Sequence, residues 1–104
     1  MEKANLFDGI PADLPAELET LLAQGRAFHL KRIVSRGQST DWYDQSEDEW
    51  VLLVTGAAHL EFEDGASMTL GAGDYILIPA HRKHRVAWTD PERESVWLAI
   101  YFEG

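Results

Sequence analysis

The sequence predicts an all-β fold, a sandwich or small barrel of short strands, preceded by one short α-helix. From residue 28 onward the chain is a series of short runs rich in Val, Ile, Leu, Trp and Phe, bounded by Gly, Pro, Asp and Ser, which is the pattern of strands and turns. Asp64-Gly65 joins two of these runs, and glycine accepts the positive φ that a tight hairpin turn demands. The predicted strands are Phe28–Val34, Glu49–Thr55, Ala57–Phe62, Ser67–Leu70, Asp74–Ile78, Arg85–Trp88 and Ser95–Phe102.

The predicted helix covers residues 16–24. Leu18, Leu21 and Leu22 recur at helical spacing and would share one face. Pro15 suits the first turn of a helix and Gly25 suits its end.

Bulk composition limits the classes of protein to which the chain can belong. A length of 104 residues indicates a single domain, 1–104, with an N-terminal segment, 1–25, and a β region, 26–104. The absence of cysteine excludes disulfides and thiolate metal sites and favours the cytoplasm. No apolar run is long enough to span a bilayer, and a net charge of -9 repels nucleic-acid backbones. A small molecule or another protein remains as the expected partner.

Two of the predicted strands carry apolar residues on both faces. If Glu49 points into the barrel, Val51 and Leu53 point inward with it, whereas Trp50 and Leu52 point outward. The run 95–102 shows the same two-sided pattern. A strand with one face in water alternates with polar residues, so we expect both strands to be covered on both sides. The other sheet, the N-terminal helix or a second subunit would provide the cover.

Two stretches carry residues at fixed spacing. In the first, Gly37, Tyr43, Gln45, Glu49 and Gly56 stand at intervals of six, two, four and seven positions. In the second, Gly73-Asp74-Tyr75-Ile76-Leu77-Ile78-Pro79-Ala80-His81-Arg82-Lys83-His84 runs from a turn, through a strand, to a histidine.

Together these stretches resemble the cupin pattern, whose first part is Gly, five residues, His-x-His, three or four residues, Glu, six residues, Gly. Its second part is Gly, five residues, Pro-x-Gly, two residues, His. Residues 28–102 also resemble small bacterial single-domain cupins of undefined activity. The resemblance implies a jelly-roll β-barrel, and such single domains commonly pair, so we expect a homodimer.

The resemblance assigns ligand roles but also departs from the pattern. It implies a metal-binding imidazole at His84 and a carboxylate ligand at Glu49. Tyr43 and Gln45 replace the two other histidines, and a phenol or an amide oxygen is a weaker ligand. His81, which replaces the motif glycine, would complete a two-histidine, one-carboxylate set for Fe, Mn, Ni or Zn if it faced inward. Without metal, Tyr43, Gln45, Glu49 and His84 would still form a polar cluster suited to a small ligand.

Four further residues are candidates for substrate binding. Trp42 and Trp88 would form an aromatic wall, because Trp88 has the same strand parity as His84. Arg82 and Arg85 would attract an anionic group at the rim, although exposed basic residues more often form only a solvated face.

These observations support two main hypotheses. The first is a metal-dependent enzyme, an oxygenase or isomerase, acting on a small organic acid or sugar-like substrate. Its expected catalytic residues are Tyr43, Gln45, Glu49 and His84. The alternative is a metal-free module that binds or senses a small ligand with the same residues. A barrel filled by its own side chains, with a purely structural role, is a third reading.

Overall fold

A computed structural model describes residues 1–103 as eight β-strands in two antiparallel sheets. The larger sheet has the strand order β1-β2-β8-β3-β6, and the smaller has the order β5-β4-β7. No described residue lies in a helix that could cross a membrane. The strands are β1 (Leu18–Gln24), β2 (Phe28–Ser35), β3 (Asp48–Thr55), β4 (Ala57–Phe62), β5 (Ser67–Gly71), β6 (Tyr75–Ile78), β7 (His84–Thr89) and β8 (Ser95–Phe102).

The seven strands predicted from residue 28 onward are confirmed, each to within one residue at either end. Short runs of β-branched and aromatic residues between turn residues were therefore a sufficient signal for these elements.

The predicted N-terminal helix is wrong. Residues 18–24 form β1, which pairs antiparallel with β2, with a bulge between Leu21 and Ala23. A nine-residue helix is marginal in water, whereas a strand at this edge gains a ladder of hydrogen bonds from β2. Gly25 ends the strand, and its amide donates to the Phe28 carbonyl at 2.9 Å in the hairpin turn. The strand belongs to the larger sheet, so the β region begins before residue 26.

The main apolar core lies between the two sheets. Val51 and Leu53 of β3 are buried against Leu60 of β4 and Trp97 of β8. Their strand neighbours Trp50 and Leu52 lie on the opposite face, as alternation predicts.

The N-terminal segment covers part of the outer face of the larger sheet. Leu14 is buried there with Val34 and Val96, and Leu6 and Ile10 pack against the same cluster. The guanidinium of Arg32 donates to the carbonyl oxygens of Leu6 at 3.0 Å and Asp8 at 2.6 Å. An ordered coil therefore supplies the cover that a helix was expected to give.

The remainder of that outer face is apolar and partly open to solvent. The rings of Trp50 and Tyr75 pack in a tilted arrangement at a centroid distance of 5.3 Å. Tyr75 and Leu77 of the edge strand β6 are 63% and 57% exposed. The two-sided apolar pattern of β3 and β8 is thus only partly explained by contacts within one chain.

Two turns carry special backbone conformations. Gly56 has a φ of 93° between β3 and β4, and a side chain there would collide with the backbone of Ser95. His81 is the non-glycine residue with positive φ, at 62°, among the described residues. It holds the left-handed conformation that glycine provides in the motif, at a cost that histidine tolerates better than most residues.

We expect His81→Gly to leave the melting temperature unchanged or raise it, because glycine removes the left-handed strain while only an exposed pair with Asp44 is lost. His81→Val should lower it, because a β-branched residue is strongly disfavoured at positive φ. Thermal denaturation of both variants beside wild type checks this. A valine variant as stable as the glycine variant would contradict it.

Candidate functional site

A cavity of about 320 Å³ lies between the sheets, and core residues such as Val51, Leu60 and Trp97 form part of its lining. This volume is at the lower end of the range for sites that hold small organic ligands. Side chains from both sheets and from the segment 40–47 face it. The lining residues are Glu17, Glu19, His29, Lys31, Ile33, Thr40, Tyr43, Gln45, Glu47, Glu49, Val51, Leu60, Ile78, His84, Val86, Trp97 and Tyr101.

Backbone pairing brings the two sequence motifs together at the cavity mouth. The Tyr43 amide donates to the His84 carbonyl at 2.7 Å, and the His84 amide donates back to the Tyr43 carbonyl at 3.1 Å. The His81 amide donates to the Gln45 carbonyl at 2.8 Å. The loop of the first motif is therefore joined by a single β-bridge to the start of β7, and both motifs contribute to one wall.

A buried histidine and carboxylate form the centre of this wall. His84 Nε2 lies 3.6 Å from Glu49 Oε1, with side chains that are only 5% and 8% exposed. The Gln45 amide donates to the same Glu49 oxygen at 3.1 Å. His84 Nδ1 lies 2.8 Å from the Arg82 carbonyl, which can only accept, so Nδ1 carries the proton. Nε2 is then the nitrogen that faces Glu49 and is free to exchange a proton.

Opposing effects set the pKa of His84. Burial lowers it, but the Glu49 carboxylate and the Arg82 carbonyl raise it by more, so the pKa lies above its ordinary value of 6.5. Protonated His84 therefore stabilises the fold fully below pH 6.5, and this contribution is lost as pH rises through the raised pKa.

Two phenols stand beside this pair. Tyr101 is opposite Glu49 in the β3–β8 register, and Tyr43 packs against the His84 ring at a centroid distance of 5.7 Å. Burial raises both pKa values, and nearby glutamates raise them further. Both phenols therefore keep their protons at neutral pH and can donate a hydrogen bond.

The structure brings Tyr43, Gln45, Glu49 and His84 together in the cavity lining, and they are the four residues that were expected to carry catalysis. It adds others that sequence reasoning missed. Glu17 and Glu19 face the cavity because residues 18–24 form a strand. His29 faces it too and stacks on Tyr101 at 4.7 Å. The alternation of Glu17 with Glu19, and of His29 with Lys31, was the signal that could have located them.

The arginines of the expected anion site lie outside the cavity. Arg82 pairs with Asp64 at 2.9 Å and lies over the Phe62 ring. Arg85 binds Glu61 through two nitrogens, at 2.8 and 2.6 Å.

The two tryptophans of the expected aromatic wall also lie outside the lining. Trp42 lies instead beneath the Arg85 guanidinium. A bulge in the β4–β7 pairing shifts the parity of β7 between Val86 and Trp88. Trp88 is consequently paired with His59 and is 46% exposed, whereas His84 points inward.

The donor set does not fit a resident metal. Cupins often bind a divalent ion, and Glu49 and His84 are suitable donors. His81 does not join them, because its ring pairs with Asp44 at 2.8 Å outside the lining. Tyr43 keeps its proton, and Gln45 donates to Glu49. Within residues 1–103 no three His, Cys, Asp or Glu residues are grouped to hold a metal.

Comparisons with known proteins agree with the fold and the motif. The family model described as a cupin domain matches residues 31–101, which is more than half of the chain. The chain belongs to the cupin family. A "putative mannose-6-phosphate isomerase" from Ralstonia eutropha JMP134 has 38% sequence identity and a TM-score of 0.93, with 100% of both chains covered.

More distant cupin structures share the fold. A cupin superfamily protein from Desulfitobacterium hafniense DCB-2 has 23% identity and a TM-score of 0.77, covering 91% of this chain and 84% of that one. A cupin domain from Bordetella pertussis Tohama I has 22% identity and a TM-score of 0.69, covering 90% of this chain and 100% of that one. No curated protein matches the chain.

We expect the pKa of His84, measured by NMR titration of its imidazole resonances, to lie above 6.5 in wild type and to fall in Glu49→Gln. The carboxylate is one of the groups that offset the effect of burial. Glu47→Gln is the matched control, because Glu47 pairs with His29 at 3.5 Å rather than with His84. An unchanged His84 titration in Glu49→Gln would contradict the assigned cause.

Proposed function

We propose that this cupin binds a small polar organic molecule in its cavity and moves protons on it without a metal, in an isomerase-type reaction. The observation that carries the proposal is the buried His84–Glu49 pair, whose free imidazole nitrogen lies at the cavity wall beside a protonated phenol. Groups that accept and donate protons side by side in one pocket are what general acid–base catalysis needs.

The residues suggest a specific sequence of proton transfers. Neutral His84 takes the proton from a carbon next to a carbonyl, while Tyr43 donates its proton to the carbonyl oxygen, which yields an enediol. His84 then returns the proton to the former carbonyl carbon, and the Tyr43 phenolate takes the proton of the neighbouring hydroxyl. The carbonyl moves by one carbon, and no external oxidant is required. Glu49 stabilises the imidazolium, and Gln45 fixes the position of Glu49.

The similarity to the Ralstonia protein supports an isomerase-type reaction over an oxygenase. That protein matches this chain over its whole length and is named as an isomerase. An oxygenase reaction would depend on a redox metal, and within residues 1–103 no third His, Cys, Asp or Glu is grouped with Glu49 and His84 to hold one.

A second candidate is a metal-free module that binds or senses a ligand without turnover. The Gln45 amide favours it, because its hydrogen bond to Glu49 weakens the carboxylate as a partner for a charged imidazole. In this case the same cavity residues hold the ligand through hydrogen bonds alone.

The test is proton exchange at carbon. We expect wild type, incubated in D₂O with a panel of aldoses, ketoses and small hydroxyketones, to place deuterium next to the carbonyl of at least one compound, as detected by ¹H NMR. His84→Gln should lower the rate by about 100-fold or more, the usual contribution of a general base. His59→Gln is the matched control, because His59 bonds to Thr69 outside the cavity.

Metal content is measured on the same samples by inductively coupled plasma mass spectrometry, after growth with Fe, Mn, Ni and Zn and purification without chelator. Exchange with substoichiometric metal is the expected result. Near-stoichiometric metal that is lost in His84→Ala would overturn the metal-independent mechanism. Ligand binding without any exchange would favour the second candidate.

We also propose that a second copy of the chain covers the open outer face around Trp50, Tyr75 and Leu77. These side chains form an apolar surface on β3 and β6 that the N-terminal segment does not reach. A partner of the same kind would remove this surface from water.

Light scattering coupled to size exclusion at micromolar concentration should therefore give twice the mass of the 11.7 kDa chain. Leu77→Glu should shift the mass toward the monomer, because a carboxylate in an apolar interface is costly. Met68→Glu, at an exposed position on the other sheet, is the control. A monomeric wild type would refute the dimer.

A further inference from the structure

The cavity is lined by more acidic groups than basic ones. Four carboxylates face it, from Glu17, Glu19, Glu47 and Glu49, against the ammonium of Lys31 and two imidazoles. The carboxylates outnumber the cations even if both imidazoles carry a proton. The electrostatic potential inside the barrel is therefore negative at neutral pH.

The basic groups of the lining already have acidic partners. Lys31 Nζ lies 3.5 Å from Glu19. His29 lies 3.5 Å from Glu47, and His84 lies 3.6 Å from Glu49. An anionic ligand would have to displace a carboxylate to obtain a counter-charge.

Glu17 is the carboxylate of the lining that has no basic partner in the part of the chain described. Its contact is with the hydroxyl of Ser35, at 3.4 Å. Burial raises its pKa, and the nearby Glu19 carboxylate raises it further. A second negative charge from a ligand would add to this repulsion, whereas a hydroxyl or ammonium donor would relieve it.

The arginines at the rim do not change this balance. Arg82 and Arg85 are paired with Asp64 and Glu61 on the outer surface, as described above, and neither lines the cavity. No guanidinium in residues 1–103 faces the cavity to bind a phosphate or carboxylate in the bidentate manner that such groups favour.

We propose that the cavity selects a donor-rich molecule without an anionic group, a neutral polyol or an amine-bearing one, and rejects phosphorylated and carboxylate ligands. This inference rests on the proposed function, because it names the ligand class of the same site. Ionised carboxylates can only accept hydrogen bonds, so the ligand must supply hydroxyl or ammonium donors. The lining also includes the aromatic residues Tyr43, Tyr101 and Trp97, and aromatic rings attract ammonium groups.

The test compares ligands that share one scaffold and differ in charge. Mannosamine, mannose and mannose 6-phosphate form one series, and choline, 3,3-dimethylbutanol and 3,3-dimethylbutanoate form a second. Calorimetric titration of the full chain at pH 7.5 measures each affinity. In any series whose members bind, we expect the affinity of the anion to be at least about tenfold lower than the affinity of the neutral or cationic member.

A variant pair separates the cavity charge from the net charge. Glu17→Gln should lower the ratio of the affinity for mannose to the affinity for mannose 6-phosphate by at least about threefold, since it removes a negative charge from the lining. Glu63→Gln removes the same charge from the exposed surface, where Glu63 lies 3.9 Å from Lys83, and should leave this ratio unchanged.

The outcomes distinguish the inference from the function on which it rests. Preferred binding of the anion in either series overturns the charge selectivity and leaves small-molecule binding intact. The absence of binding by all six compounds, together with no proton exchange in D₂O, overturns both. The inference is supported if the neutral or cationic member binds more tightly than the anion, and if this preference is reduced by Glu17→Gln but not by Glu63→Gln.

Discussion

The burial of an ionisable pair inside the barrel is the constraint on which the site depends. A carboxylate or an imidazolium removed from water is costly unless partners replace the lost hydration. The Glu49 carboxylate accepts a hydrogen bond from the Gln45 amide and faces Nε2 of His84. The other ring nitrogen of His84, Nδ1, donates to the Arg82 carbonyl. These contacts involve residues from β3, β7 and the loops that precede these two strands. The site can therefore form only when both sheets and the bridge between Tyr43 and His84 are in place.

This arrangement differs from the metal centre that the motif spacing suggests. The positions are those of the cupin pattern, but the groups that occupy them exchange hydrogen bonds with one another. Gln45 donates to Glu49, and the Tyr43 phenol remains protonated beside glutamates. Glu19 of β1, and Glu17 directly before that strand, add further carboxylates to the cavity lining. Acid–base chemistry on an uncharged or cationic ligand follows from these groups more directly than binding of a phosphate does.

Strand periodicity decided how much of the molecule could be predicted. From residue 28 onward, alternation and turn residues located seven strands and placed Glu49, Val51 and Leu53 on the inner face. It failed in two places. Residues 18–24 satisfy a helical pattern and a strand pattern equally well, and only pairing with β2 selects the strand. A bulge in β7 turns the Trp88 side chain to the face opposite that of His84, and nothing in the local sequence marks this bulge.

The sequence by itself determined the all-β fold, the cupin motif and the identity of the four polar residues at the cavity wall. These follow from local spacing, which the backbone converts directly into strand direction and side-chain face. Only the tertiary structure decided that Glu17, Glu19 and His29 line the cavity and that Arg82, Arg85 and His81 do not. Those placements depend on strand pairing and on ion pairs between residues that are distant in the chain, as between Arg85 and Glu61. Such contacts have no periodic signal, because they are fixed by the competition of charged groups for partners once the sheets have assembled.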